Sequence, residues 1–326
     1  MAYHELGVSS DKARISIIAP HGFLSSRLAG IPPISASLLE AFGVRLVTYD
    51  LPGFGESDPH PNRSLNSSAL DMLYLVDTVA LNDKFWIVGY SSGAMHAWAA
   101  LKYIPNRIAG AAMFAPMVNP YESSMTKEEM SRTWEKWTRR RKLMYYLARR
   151  FPKFLNYFYR QSFLSGKHGQ IDKWLSLLLG NKVSKWGFSL SDLLPQRKCT
   201  GKGILPWFRF MYSQAECEIT GFVGPIHIWQ LSGLIIFSSI TPKQGMDDQV
   251  VPPSMTDYVA RVLPNAVVHK LPEEGHFSYF FFCDKCHKEI FSTLFGSPQG
   301  PIRTDQQKPS KDGAEEASAS PDHTLR

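Results

Sequence analysis

Residues 84–98 read "KFWIVGYSSGAMHAW": a short apolar run rich in β-branched and aromatic residues, a turn of glycine and serine, then an alanine-rich segment with helical spacing. Within it, Gly89-Tyr90-Ser91-Ser92-Gly93 has the form G-x-S-x-G between a strand and a helix. Such a turn is so tight that the serine takes strained dihedrals and its neighbours two positions away must be tiny, which leaves Oγ projecting above a sheet. Ser91 is the candidate nucleophile. A Gly/Ser-rich turn alone says little, and it is the flanking strand and helix that give this one its weight.

The segments on either side repeat the alternation. "ARISIIAP" (13–20), "VRLVTYD" (44–50) and "IAGAAMFAP" (108–116) read as buried strands, and "ISASLLEAF", "SSALDMLYLVDTVALN" and "GAMHAWAALKYIP" as helices between them. Near-continuous apolar strands separated by helices imply a mostly parallel sheet covered on both faces. Residues 1–117 are thus the first part of an α/β core. Residues 118–220 turn to Lys, Arg, Trp and Tyr-rich helical sequence and read as a helical cap inserted into it. Strand signals return in 221–296, with "AVVHKL" (266–271) and a last helix, "DKCHKEIFSTLFG". From Ser297 the sequence is rich in Pro, Ser, Gly and charge, and 297–326 is expected to be a disordered tail.

A serine hydroxyl needs a base to take its proton, and the base needs a carboxylate to orient it, here in the chain order Ser, Asp, His. "GMDDQVVP" and "LPEEGHFS" supply them beside strand signals, with His276 as base and Asp248 as acid. Asp247 reads as a turn-capping neighbour, and Glu273 and Glu274 as the polar turn presenting His276. His96 falls one helical turn past Ser91 and packs behind it, His269 lies within a strand, and His21 braces its loop. The oxyanion requires two backbone N–H donors: Ser92, after the nucleophile, and Phe23, in the "PHGFLSS" loop after the first core strand.

Five motifs in this order, "HGFLSSR", "YDLPGFGESDPHPNR", "GYSSG", "DDQVVP" and "EEGH", resemble the α/β-hydrolase superfamily, specifically its plant-type, esterase-like branch, over roughly residues 2–296. The resemblance implies an eight-stranded, mostly parallel sheet with a cap, a Ser91-Asp248-His276 triad and no metal or organic cofactor. Asp50, Gly53 and Gly55 then shape a loop beside the site. The implied reaction is hydrolysis of a small-molecule carboxylic ester or related acyl compound.

Three departures accompany it. The chain begins inside the first strand pair, so the first edge strand is expected to be missing, and the cap looks short. In place of "IWQG" followed by the acidic turn, residues 231–244, "LSGLIIFSSITPKQ", intervene, and removing them restores "IWQGMDDQVVP". Either "PIHIWQ" keeps the strand slot and the insert leaves as a loop, which is the expectation, or "GLIIFSSI" takes the slot. An insert ahead of the acid also supports an alternative, a non-catalytic or ligand-binding relative with an uncoupled triad.

Composition narrows the classes. A net charge of +7 over 326 residues is moderate, and residues 127–160 hold eleven Lys and Arg against three Glu, a local excess and not a nucleic-acid signature. Basic cap helices could rest on an anionic membrane surface. With no signal-peptide pattern and no apolar run of about 18 residues, the expected location is cytoplasmic. Four cysteines are too few for a disulfide scaffold, and "CDKCH" (283–287) matches a haem-attachment pattern only by chance.

Overall fold

Strands without polar alternation must be covered on both sides, and the fold meets that demand with one twisted sheet between two helical layers. In a computed structural model of the protein, residues 1–22, 25–28, 30–60, 62–151, 222–231, 248, 250–271 and 276–303 are described. Their order is β1 (Tyr3–Gly7), β2 (Ile15–Pro20), α1 (Ala36–Phe42), β3 (Val44–Tyr49), α2 (Leu65–Thr78), β4 (Phe85–Tyr90), α3 (Ala94–Tyr103) and β5 (Ile108–Phe114). Then follow α4 (Lys127–Lys136), α5 (Arg139–Arg150), β6 (Ile226–Leu231), α6 (Pro253–Val262), β7 (Ala266–Leu271) and α7 (Asp284–Phe295).

The seven strands run in the order β1-β3-β2-β4-β5-β6-β7. All neighbours are parallel except β1 and β3. This is the mostly parallel sheet that the resemblance implies, with one strand fewer, among the described residues, than its eight. β1 forms its antiparallel edge. That edge is mostly exposed, and its Glu5 pairs with Arg45 of β3 at 2.8 Å, a charge at a position where an apolar strand would invite further pairing.

Alternate residues of the same strands serve opposite layers. Ile18, Val47 and Tyr49 join the large cluster with α2 and α3, while Ile17, Ala19, Val44 and Leu46 pack with Leu39, Phe42 and Phe291 from α1 and α7. α2 begins where Ser64 and Ser67 cap one another's backbone N–H groups, and α4 begins on the equivalent pair Thr126 and Glu129.

The strand slot before the acidic turn belongs to "PIHIWQ". β6 pairs with both β5 and β7, and it runs one residue further than expected, into the insert: Leu231 is buried and opposite Leu271. "GLIIFSSI" and Asp247 lie outside the described residues, as do 152–221, which hold most of the predicted cap. The cap's described start is fastened to the core. Glu129 of α4 takes two bonds of 2.8 Å from Arg261 of α6, and the Thr133 and Ser254 hydroxyls meet at 2.6 Å. Among the described residues no helix is long and apolar enough to cross a membrane.

The expectation of a disordered tail from Ser297 needs correcting at its start. Gly300 N–H bonds to Ala41 O at 2.9 Å and Ile302 N–H to Lys12 O at 2.9 Å, while Arg14 Nε donates to Gly300 O at 3.1 Å. Composition is silent on such a strap because the strap itself bonds only through its main-chain N–H and C=O groups. Residues 304–326 lie outside the described residues.

Candidate active site

β4 delivers Ser91 at its carboxyl end, with α3 following almost at once. A Cβ on Gly89 would stand 2.7 Å from Ala94 Cα, and one on Gly93 2.6 Å from Pro20 O, so both positions exclude any side chain. Ser91 itself sits at φ 54, a left-handed conformation that costs a non-glycine residue about 1–2 kcal/mol. Met117 N–H holds the Ser91 carbonyl at 3.0 Å, tying this backbone to the segment after β5.

His276 and Asp248 meet that serine. His276 Nε2 stands 3.1 Å from Ser91 Oγ, and His276 Nδ1 stands 2.7 Å from Asp248 Oδ2. The other carboxylate oxygen, Oδ1, accepts N–H bonds from Val250 at 2.7 Å and Val251 at 3.0 Å. A carboxylate is an acceptor here on both oxygens, so Nδ1 carries the proton and Nε2 is left with its lone pair facing the serine hydroxyl. Ser91, Asp248 and His276 are all buried, which keeps these hydrogen bonds out of bulk water. The insert therefore does not keep Asp248 from His276. Glu273 and Glu274 fall outside the described residues.

Of the two oxyanion candidates, Ser92 lies within the short turn Ser91–Gly93 that leads into α3 and is buried, whereas Phe23 lies outside the described residues. Its neighbour Gly22 closes on the elbow: a Cβ there would stand 3.3 Å from Tyr90 O and 3.9 Å from Ser91 Cβ. His21 braces this loop as expected. Leu51 N–H donates to Nε2 at 3.1 Å, which forces the proton onto Nδ1, and Nδ1–H donates to Gly22 O at 2.8 Å. Burial drives the His21 pKa down to about 4, so the ring is neutral near pH 7. Asp50 is a loop brace too, bound by Arg27 N–H at 2.7 Å, the Arg27 guanidinium and Glu56 N–H at 3.0 Å. His96 packs behind the elbow with Nδ1 2.6 Å from Ser68 Oγ, and His269 lies in β7 against Trp229.

One contributor was not singled out from sequence. Tyr90, the variable position before the serine, donates its hydroxyl to His276 O at 2.9 Å and stacks on Tyr279 with centroids 4.4 Å apart. Burial, with Asp248 and Tyr279 nearby, pushes its hydroxyl well above its ordinary pKa and keeps it a donor. An aromatic residue just before Ser91 is the only trace of this in the sequence. Among the described residues no group of three or more His, Cys, Asp or Glu could hold a metal ion.

Solved structures share this architecture at low identity. A protein from Mycobacterium tuberculosis is 16% identical with a TM-score of 0.57, each chain covered to 90%. A bromoperoxidase from Bacillus anthracis is 17% identical with a TM-score of 0.56, covering 90% of this chain and 92% of its own. A hydrolase from Oleispira antarctica is 15% identical with a TM-score of 0.54, covering 90% and 93%. At such identities the likeness concerns the fold. No curated protein matches the chain. The family model described as "Alpha/beta hydrolase family" matches residues 17–285, most of the chain, and the protein belongs to that family.

Proposed function

We propose that the protein is a serine hydrolase that cleaves a carboxylic ester or related acyl compound through an acyl-enzyme on Ser91. The observation that carries this reading is the unbroken hydrogen-bond chain from Ser91 Oγ through His276 to Asp248. In the proposed reaction Oγ attacks the acyl carbonyl while Nε2 takes its proton, and Asp248 steadies the imidazolium that forms. The N–H groups of Ser92 and Phe23 are the proposed partners of the oxyanion. His276 then protonates the leaving alcohol, and a water deprotonated by the same Nε2 releases the acid. The five quoted motifs are the ground for an esterase-like, plant-type branch within the family.

A fluorophosphonate probe tests the reading, because it reacts with a serine only where a base and an oxyanion site already activate it. The parent chain is expected to label and Ser91→Ala to stay unlabelled. A parent that does not label, in a folded preparation, defeats it. A second reading, a non-catalytic relative, has one observation in its favour, the insert directly ahead of Asp248. Labelling confined to a variant lacking residues 231–244 would establish that reading for this form of the chain.

A further inference from the structure

The "CDKCH" pattern is absorbed by none of the chemistry above, and its two sulfurs meet. Cys283 is the N-cap of the 12-residue helix α7, and its Sγ accepts the Cys286 N–H at 3.3 Å. The two Sγ atoms stand 2.6 Å apart, a short step from the roughly 2.05 Å of a covalent bond. Cys283 is exposed and Cys286 is partly covered by the core, and both are free thiols. We propose that Cys283 and Cys286 form a redox-active dithiol that closes reversibly to an intramolecular disulfide by exchange with a small-molecule disulfide, with Cys283 as the attacking sulfur.

The asymmetry of the pair fits these roles. An attacking thiol must be reachable and partly ionised, and a helix N-terminus offers N–H groups and a positive dipole end to a thiolate. The hydrogen bond from Cys286 and the backbone donors of the turn hold the Cys283 thiol below its ordinary range, while burial pushes the Cys286 thiol up. Capping alone would not explain the pair, since cysteine is not among the favoured cap residues and one sulfur would suffice. Haem attachment fits no better: His287 is buried among apolar side chains, with its ring edge-on to Phe282 at 6.2 Å.

The exchange balances in two steps. The Cys283 thiolate attacks one sulfur of RS–SR, forming a mixed disulfide and expelling RS⁻. Cys286 then loses its proton to solvent and attacks Cys283 Sγ, expelling the second RS⁻. The dithiol has given up two electrons and two protons, and RS–SR has become two RSH. A ring closed over so few residues gains little loop entropy, and an exposed disulfide of this kind is readily reduced again.

The full chain carrying Cys199→Ser and Cys217→Ser, incubated with oxidised glutathione, tests this by thiol titration and intact mass. Both remaining thiols are expected to vanish with the loss of two hydrogens and no retained glutathione, and dithiothreitol restores them. Cys286→Ser in that background should trap one glutathionyl group on Cys283, and Cys283→Ser should react about 10-fold more slowly or less. If that serine background fails to fold, peptide mapping of the unsubstituted chain after thiol blocking reads the same link. A glutathionyl adduct that persists on Cys283 with Cys286 present overturns the proposal, as do two sulfurs reacting independently at equal rates.

Discussion

His21 and His276 each follow the carboxyl end of a strand, and each is buried, at 1% and 4% exposure, yet their ring nitrogens meet different kinds of partner. His21 has a backbone N–H on one nitrogen and a backbone carbonyl on the other, so its tautomer is fixed and neither nitrogen faces a reacting group. His276 has a carboxylate on one side and a serine hydroxyl on the other, both side chains suited to proton traffic. Burial beside the elbow is common to the two, so what separates the brace from the proposed base is what each nitrogen touches.

The widest gap should open in probe kinetics. His276→Ala is expected to lower the fluorophosphonate labelling rate by about 10³-fold or more, whereas His21→Ala, corrected for the folded fraction, should keep it within about 10-fold. Equal losses in the two variants would erase the distinction. Asp248→Asn removes the acceptor that fixes the tautomer of His276, and a drop of about 10²–10⁴-fold is expected, with the fold intact by circular dichroism.

Stability should reverse the ranking. The ring of His21 resists protonation in the fold down to about pH 4, while an unfolded histidine takes up its proton near pH 6.5. As pH falls through that window the unfolded state binds the proton first, so up to about 3 kcal/mol of stability is lost between roughly pH 6.5 and pH 4. Denaturant midpoints measured across this range should decline less steeply for His21→Gln. Smaller still, Ser91→Gly should exceed Ser91→Ala in stability by about 1 kcal/mol, because both lack Oγ and only alanine keeps the strain at φ 54. Tyr90→Phe, which removes the bond to the His276 carbonyl, should cost about 1 kcal/mol.

What could be read from the sequence followed how local each cause is. The elbow's glycines announce it in the sequence: Gly89 must clear Ala94 close by, and only the clash of Gly93 with Pro20 O comes from a distant segment. β7 matches its apolar run residue for residue although it is the half-exposed edge of the sheet, and β6 differs only by a shift of one, because an apolar strand buried between neighbours leaves little else for the chain to do. Asp248 and His276 were legible by their order after Ser91, but their contact depends on β6 and β7 lying side by side beyond β5. Tyr90 escaped notice because its role depends on Tyr279 and the His276 carbonyl, which are distant in sequence. The strap after α7 escaped notice for a different reason: on its own side every bond uses a main-chain atom, which every residue carries.

That strap also bears on the order in which the chain folds. Gly300 and Ile302 bond to Ala41 and Lys12, so these contacts join residues near the two extremes of the described sequence. Contacts this remote in sequence must wait until the segments between them have been drawn together. The amides of Gly300 and Ile302 are thus natural reporters of a completed fold, gaining protection from hydrogen exchange only when α1 and α7 have docked on the same face of the sheet.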